Sequence, residues 1–113
     1  MYRESDFADD HVFRRAVEDL LASLLVQLDA VESDEHEARL TSGNLIITFE
    51  AGGTFVLSQQ TPVRELWLSA NQQAWHFVRD GGVWVERDTE APMLDTLSRL
   101  FSEKMGLATV FEL

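Results

Sequence analysis

The sequence predicts an α+β fold: a two-layer α-β sandwich with N- and C-terminal helices packed on one face of an antiparallel sheet of five or six strands. Three observations predict it. An apolar stripe of helical spacing lies near each end of the chain, alternating apolar and polar runs lie between them, and the breaks between those runs are short and rich in turn residues. Each terminal helix has one stripe to bury, and short turns join neighbouring strands antiparallel. Both helices therefore share one sheet face and leave the other open to water. At 113 residues the chain has enough material for one domain, 1–113, with one core.

Residues 1–10, MYRESDFADD, are polar and are expected to fray. From about His11, the residues Phe13, Val17, Leu20, Leu21, Leu24, Leu28 and Val31 recur at intervals of three, four and seven. That is the stripe of an amphipathic helix of roughly five turns. His11, Glu18 and Asp29 fall along one flank of it, interrupted by Ala22 and Leu25, while Arg15, Asp19 and Val26 lie further round. Ser33-Asp34 reads as a turn, and residues 35–41 as a short strand with Glu37, Arg39 and Thr41 on one face and Ala38 and Leu40 on the other.

The central stretch is NLIITFEAGGTFVLSQQTPVRELWLS, residues 44–69. Leu45, Ile47 and Phe49 share one face of the first run, and Phe55 and Leu57 point inward from the second, with Val56 and Ser58 outward. Ala51-Gly52-Gly53 links the two runs as a hairpin. Pro62 cannot donate to a ladder, so the second run ends before it and a third begins near Glu65. Leu66 and Leu68 then face inward and Trp67 faces the opposite, solvated side, an unusual place for a large aromatic residue. Residues 70–73 read as a loop and residues 74–78 as a further strand. Asp80-Gly81-Gly82 is a tight turn, and residues 83–87 are its hairpin partner. Asp88 or Thr89 is the expected cap of a second helix, with Pro92 in its first turn. Leu94, Leu97, Leu100, Phe101 and Met105 form its stripe, Gly106 ends it, and the apolar tail 107–113 packs against the helices.

The formal net charge is −11, of which residues 1–40 carry eleven acids against four arginines. Such a field repels nucleic acid and anionic membrane and attracts cations or a basic protein surface. The acids concentrate in residues 29–37, DAVESDEHE, which contain no lysine or arginine. Crowded carboxylates repel one another, and a hard cation or an arginine-rich partner relieves that repulsion. A solvated turn at a helix end is the plainer reading of the same run. With no cysteine there is no disulfide, thiol nucleophile or thiolate metal site. No run has transmembrane length and the N-terminus has no secretory pattern, so a cytoplasmic protein is expected. His11, His36 and His76 are scattered without metal-ligand spacing, and His76 reads as a packing or hydrogen-bonding residue. No phosphate-binding loop or Ser/His/Asp set can be nominated, so the chain is not expected to be an enzyme.

The runs Leu45-Ile46-Ile47-Thr48-Phe49-Glu50, Gln60-Thr61-Pro62, Leu66-Trp67-Leu68-Ser69 and His76-Phe77, in this order and spacing, resemble the frataxin family, nearest its bacterial CyaY-type branch. The likeness runs from the helix at His11-Val12-Phe13 to the helix over residues 95–105. It implies an α-β sandwich acting in iron–sulfur cluster assembly, as iron donor and/or regulator of the cysteine desulfurase complex. Ferroxidase-type activity belongs to the family but finds no support in these residues. The resemblance also implies a ridge binding iron (Fe²⁺/Fe³⁺) weakly and exchangeably, which here comprises Glu18, Asp29, Glu32, Asp34, Glu35 and Glu37. Trp67 matches the family's sheet tryptophan and is expected to contact the partners, the cysteine desulfurase and the iron–sulfur scaffold protein. A monomer is expected, with iron-dependent oligomers as the other state. Leu25 and Val26 stand where bacterial frataxins carry ridge glutamates, and Arg14 stands where a histidine is common. Asn71-Gln72-Gln73-Ala74 replaces a glycine-rich link. These departures weaken iron loading on the helix and leave a second reading open, a divergent protein-interaction module of the same fold without significant iron binding.

Overall fold

The N-terminal stripe folds as helix α1, Asp10–Asp29, in the computed structural model, which describes residues 4–113. Asp9 caps it, its carboxylate accepting the Val12 N–H at 2.9 Å, a bond that contributes about 1 kcal/mol at such a position. Phe13, Val17, Leu20, Leu21, Leu24 and Leu28 are buried along one face, and Val31, beyond the helix end, is half-buried.

Six strands follow: β1 (His36–Thr41), β2 (Asn44–Phe49), β3 (Thr54–Gln60), β4 (Glu65–Ala70), β5 (Gln73–Asp80) and β6 (Val83–Glu86), with helix α2 (Met93–Met105) last. They pair antiparallel in chain order, β1-β2-β3-β4-β5-β6. Left-handed residues set the tight reversals, Ser42-Gly43, Asn71-Gln72 and Gly81-Gly82. Gly43 has φ +80°, a conformation that favours glycine, and a Cβ there would also push aside the Gln59 side-chain amide, 2.8 Å away. Asn71-Gln72 is thus a two-residue turn, not the longer loop the sequence suggested, because β4 and β5 extend to meet it. Pro62 sits in a short 3-10 turn, Thr61–Val63, which separates β3 from β4.

Leu45, Ile47, Phe49, Phe55, Leu57, Leu66, Leu68, Phe77 and Trp84 line the inner face and join the two helix stripes in one core. Burying each such side chain contributes about 1.5–3 kcal/mol. Helix α2 buries Met93, Thr96, Leu97, Leu100 and Phe101. Its start differs from the expected one. Pro92 is the cap residue and no side chain caps the helix, because it begins only at Met93, beyond Asp88 and Thr89. Thr89 Oγ1 accepts the Ala91 N–H at 3.3 Å, and the Asp88 and Thr89 N–H groups donate to the Glu86 carboxylate at 2.6 and 3.0 Å. Gly106 ends the helix at φ +65° as expected. Of the tail, only Phe111 is buried, against Phe101 at 5.4 Å, while Leu107, Val110 and Leu113 are exposed. Polar bonds hold the rest: Ser98 Oγ accepts from Phe111 N–H, Ser102 Oγ is bonded to both Thr109 N–H and Thr109 C=O, and Gln27 exchanges two bonds with Glu112. No helix among the described residues is long and apolar enough to cross a membrane.

The expected fraying of residues 1–10 does not hold for the segment that leads into α1; residues 1–3 lie outside the described residues. Ser5 Oγ donates to the Arg64 carbonyl at 2.6 Å and accepts the Arg79 N–H at 3.0 Å. The Asp6 N–H donates to the Arg79 carbonyl at 3.0 Å, which ties the segment to the end of β5. Phe7 is buried between Phe13 and Trp84, with the Arg79 guanidinium 3.9 Å over its ring. Arg79 Nε also donates to Asp6 at 3.0 Å. That hydrogen bond is the main reason the Asp6 carboxyl titrates below its ordinary value of 3.8; burial opposes it and the Gly81 N–H adds to it.

A group depressed in the folded state adds stability above its unfolded pKa and loses it as pH falls through its folded pKa. Asp6→Asn should therefore lower the melting temperature near neutrality, and the difference from the parent should close as pH falls below 3.8. Thermal melts across that range check it; a difference that does not change with pH would contradict the clamp.

Candidate functional site

The alternation that buries Leu66 and Leu68 puts Glu65 and Trp67 of β4 together on the outer face. Register then builds a row across the sheet. Asn44 pairs with Ser58, Ser58 with Trp67, and Trp67 with His76, while the Arg87 N–H donates to the His76 carbonyl at 2.9 Å. The Trp67 and His76 rings lie 4.5 Å apart at 33°. Trp67 is on the expected face, but it is half-buried and not freely solvated.

Its indole N–H donates to Glu65 Oε1 at 2.8 Å. Glu65 is 0% exposed. Arg87 Nη1 straddles its carboxylate, 3.0 Å from Oε1 and 3.2 Å from Oε2. An acid at a strand start reads from sequence as solvated, and this one was missed. The available signal was its place two residues from Trp67, on the same face as an indole N–H in need of an acceptor.

The six predicted ridge acids are all exposed. Eleven residues of helix separate Glu18 from Asp29, roughly 16 Å along the axis. Glu18 instead borders a groove with His11, Arg14, Arg15 and Asp19, where the arginines compete for its charge. Asp29, Glu32, Asp34, Glu35 and Glu37 occupy the end of α1, the connection and β1. The connection is held by its own bonds: Val31 N–H to Leu28 C=O at 3.2 Å, Ser33 N–H to Val31 C=O at 2.9 Å, and Glu35 N–H to Ser33 Oγ at 3.1 Å. These acids sit beside the negative end of the helix dipole, and the last turn of α1 has no basic residue. Pairing of β1 with β2 adds Glu50, whose N–H donates to the Glu35 carbonyl at 2.9 Å. Glu50 joins the acidic region through strand register, which the linear charge run does not reveal.

His36 lies within this run and faces inward. Its Nε2 bonds the Leu28 carbonyl at 2.8 Å, its ring meets Phe101 edge-on at 5.4 Å, and its Nδ1 is buried without a partner among the described residues. Among the described residues no three His, Cys, Asp or Glu side chains form a preassembled metal cage. The donors are hard carboxylate oxygens, which suit a hard cation held loosely and exchanged readily.

Removing Arg87 takes the opposite charge from a buried carboxylate, whereas replacing both partners with apolar groups leaves no buried charge. Arg87→Ala should cost about 2–4 kcal/mol, the lower part of the range reflecting the residual exposure of Arg87. Glu65→Leu/Arg87→Met should unfold within about 1 kcal/mol of the parent. Urea titrations decide it, and equal losses in both variants would rule out the charge-orphaning account.

The frataxin-like domain family model matches residues 6–107. The chain is similar to proteins named iron-sulfur cluster assembly protein CyaY in three species. To that of Cupriavidus taiwanensis it is 30% identical over 98 residues, 86% of each chain. To that of Cupriavidus metallidurans it is 29% identical over 93 residues, 82% of this chain and 83% of the relative. To that of Cupriavidus necator it is 32% identical over 88 residues, 77% and 78% of the two chains. The fold matches the solved structure of frataxin from Psychromonas ingrahamii with a TM-score of 0.86 at 16% identity, covering 93% of this chain and 99% of that one.

Proposed function

The chain belongs to the frataxin-like family, of the bacterial CyaY type, and on that premise we propose that it is an iron-binding protein of iron–sulfur cluster assembly. The match across residues 6–107 to a family whose curated members are named for that process carries the reading. In it the protein acts as iron donor and/or regulator of the cysteine desulfurase complex, a carrier and adaptor in the cytoplasm rather than an enzyme.

Iron is the cargo. Exposed carboxylates on three successive elements, with no cage, hold Fe²⁺ weakly and release it readily. The five acids from Asp29 to Glu37, with Glu50 beside them, form the denser end of the ridge. Glu18, next to Arg14 and Arg15, is the poorer end. The same acids suit an arginine-rich surface such as the desulfurase would offer. Trp67 is the contact for the scaffold protein, on a face whose central acid, Glu65, is already neutralised by Arg87. A net charge of −11 argues against nucleic acid as a partner.

Anaerobic Fe²⁺ titration followed by amide NMR should move resonances of residues 29–37 and Glu50 more than those around Glu18. Glu35→Lys/Glu37→Lys should weaken iron binding, while Trp67→Ala should leave it intact and weaken scaffold binding at least tenfold, as expected for a central aromatic contact. An iron titration that leaves residues 29–37 unmoved ends the metal assignment, and undiminished scaffold binding by Trp67→Ala ends the partner assignment.

A further inference from the structure

We propose that Glu65 and Arg87 are positioning residues that fix how Trp67 is presented to its partner. The inference rests on the assignment of Trp67 to the partner surface. An outward tryptophan on a strand has several rotamers open to it, and holding one in advance removes an ordering cost from binding. Here the ring is held from two sides. The indole edge is tied to Glu65 Oε1 at 2.8 Å, and His76 stacks against a ring face at 4.5 Å.

The acceptor is itself fixed. Glu65 is fully buried, with both oxygens within 3.2 Å of Arg87 Nη1, and Arg87 is anchored through its own N–H to the His76 carbonyl. Burying a carboxylate is costly, and an apolar pair of similar volume would fill the space at least as stably. Stability alone therefore does not account for an ion pair under an aromatic ring. Orientation of the indole does. The indole has a single donor, and it is spent on Glu65, so the partner meets the carbon surface of the ring.

The indole resonances are first assigned with Trp67→Phe, Trp75→Phe and Trp84→Phe. In the unaltered protein the Trp67 side-chain nitrogen should relax like the strand backbone, with an order parameter of about 0.85, and a value below about 0.6 overturns the proposal whatever the variants do. Affinity for purified bacterial iron–sulfur scaffold protein is then measured by calorimetry. Glu65→Leu/Arg87→Met should keep a folded amide spectrum, shift the Trp67 indole resonance and bind about tenfold more weakly. Glu65→Gln keeps an acceptor oxygen and should restore both resonance and affinity. If Trp67→Ala weakens binding and the Leu/Met variant does not, the positioning role is wrong and the partner surface stands. If Trp67→Ala binds like the parent, the partner surface falls and the positioning role falls with it.

Discussion

Between Thr41 and Val83 the chain reverses direction five times, and each reversal uses only two to four residues outside the strands. A crossover to a parallel strand needs a dozen or more, so each of these links can only produce an antiparallel neighbour. The sheet is therefore a six-stranded meander with no point at which a helix could be inserted to cover its second face. The two helices lie at the chain ends and both pack on the inner face, where the largest fully buried apolar side chains collect. Everything the outer face carries must be stable against water by its own means. That single constraint explains why Glu65, Trp67, His76 and Arg87 satisfy one another.

The same constraint shapes the acidic region. The connection from α1 to β1 is held by short local backbone bonds and by His36 on the Leu28 carbonyl. His36 turns toward Phe101, while the neighbouring acids are exposed. They point to water as a crowd of negative charge beside a helix C-terminus. Charge density there is set by the fold, whereas coordination geometry is left to side chains on separate elements. Such an arrangement suits a hard cation held loosely rather than in a cage.

The strands and the helix stripes were legible because burial on one face imposes periods of two and 3.6 on the residues themselves. Trp67 was placed on the outer face by the same alternation. What escaped the reading depends on partners far along the chain. Phe7 sits in a polar run and is buried only because Trp84 and Arg79 come to meet it. The Asp88 and Thr89 capping signals were sound in type, yet the helix starts only at Met93 and Thr89 Oγ1 takes the Ala91 N–H instead. The tail does pack against the helices, but only Phe111 is buried, and hydroxyls and amides hold the remainder. Glu50 entered the acidic region through strand register and Glu65 is buried in an ion pair with Arg87; neither has a local sequence period.

The two candidate surfaces differ in how specific they can be. Charge density is shared by many cations and many basic surfaces, so the acids alone give attraction without much discrimination. Trp67 is one ring in one orientation, and orientation is what discriminates. The sheet brings the two within reach of a single partner. β1 and β4 are three strand spacings apart, about 14 Å, and Glu37 projects from the outer face of β1 as Trp67 does from that of β4. A partner footprint of ordinary size, about 800 Å², covers both. Asp29 and Glu32, at the helix end, lie round the edge from that footprint. Any surface of that size laid on the outer face therefore meets Glu37 and Trp67 together and leaves Asp29 and Glu32 outside its footprint.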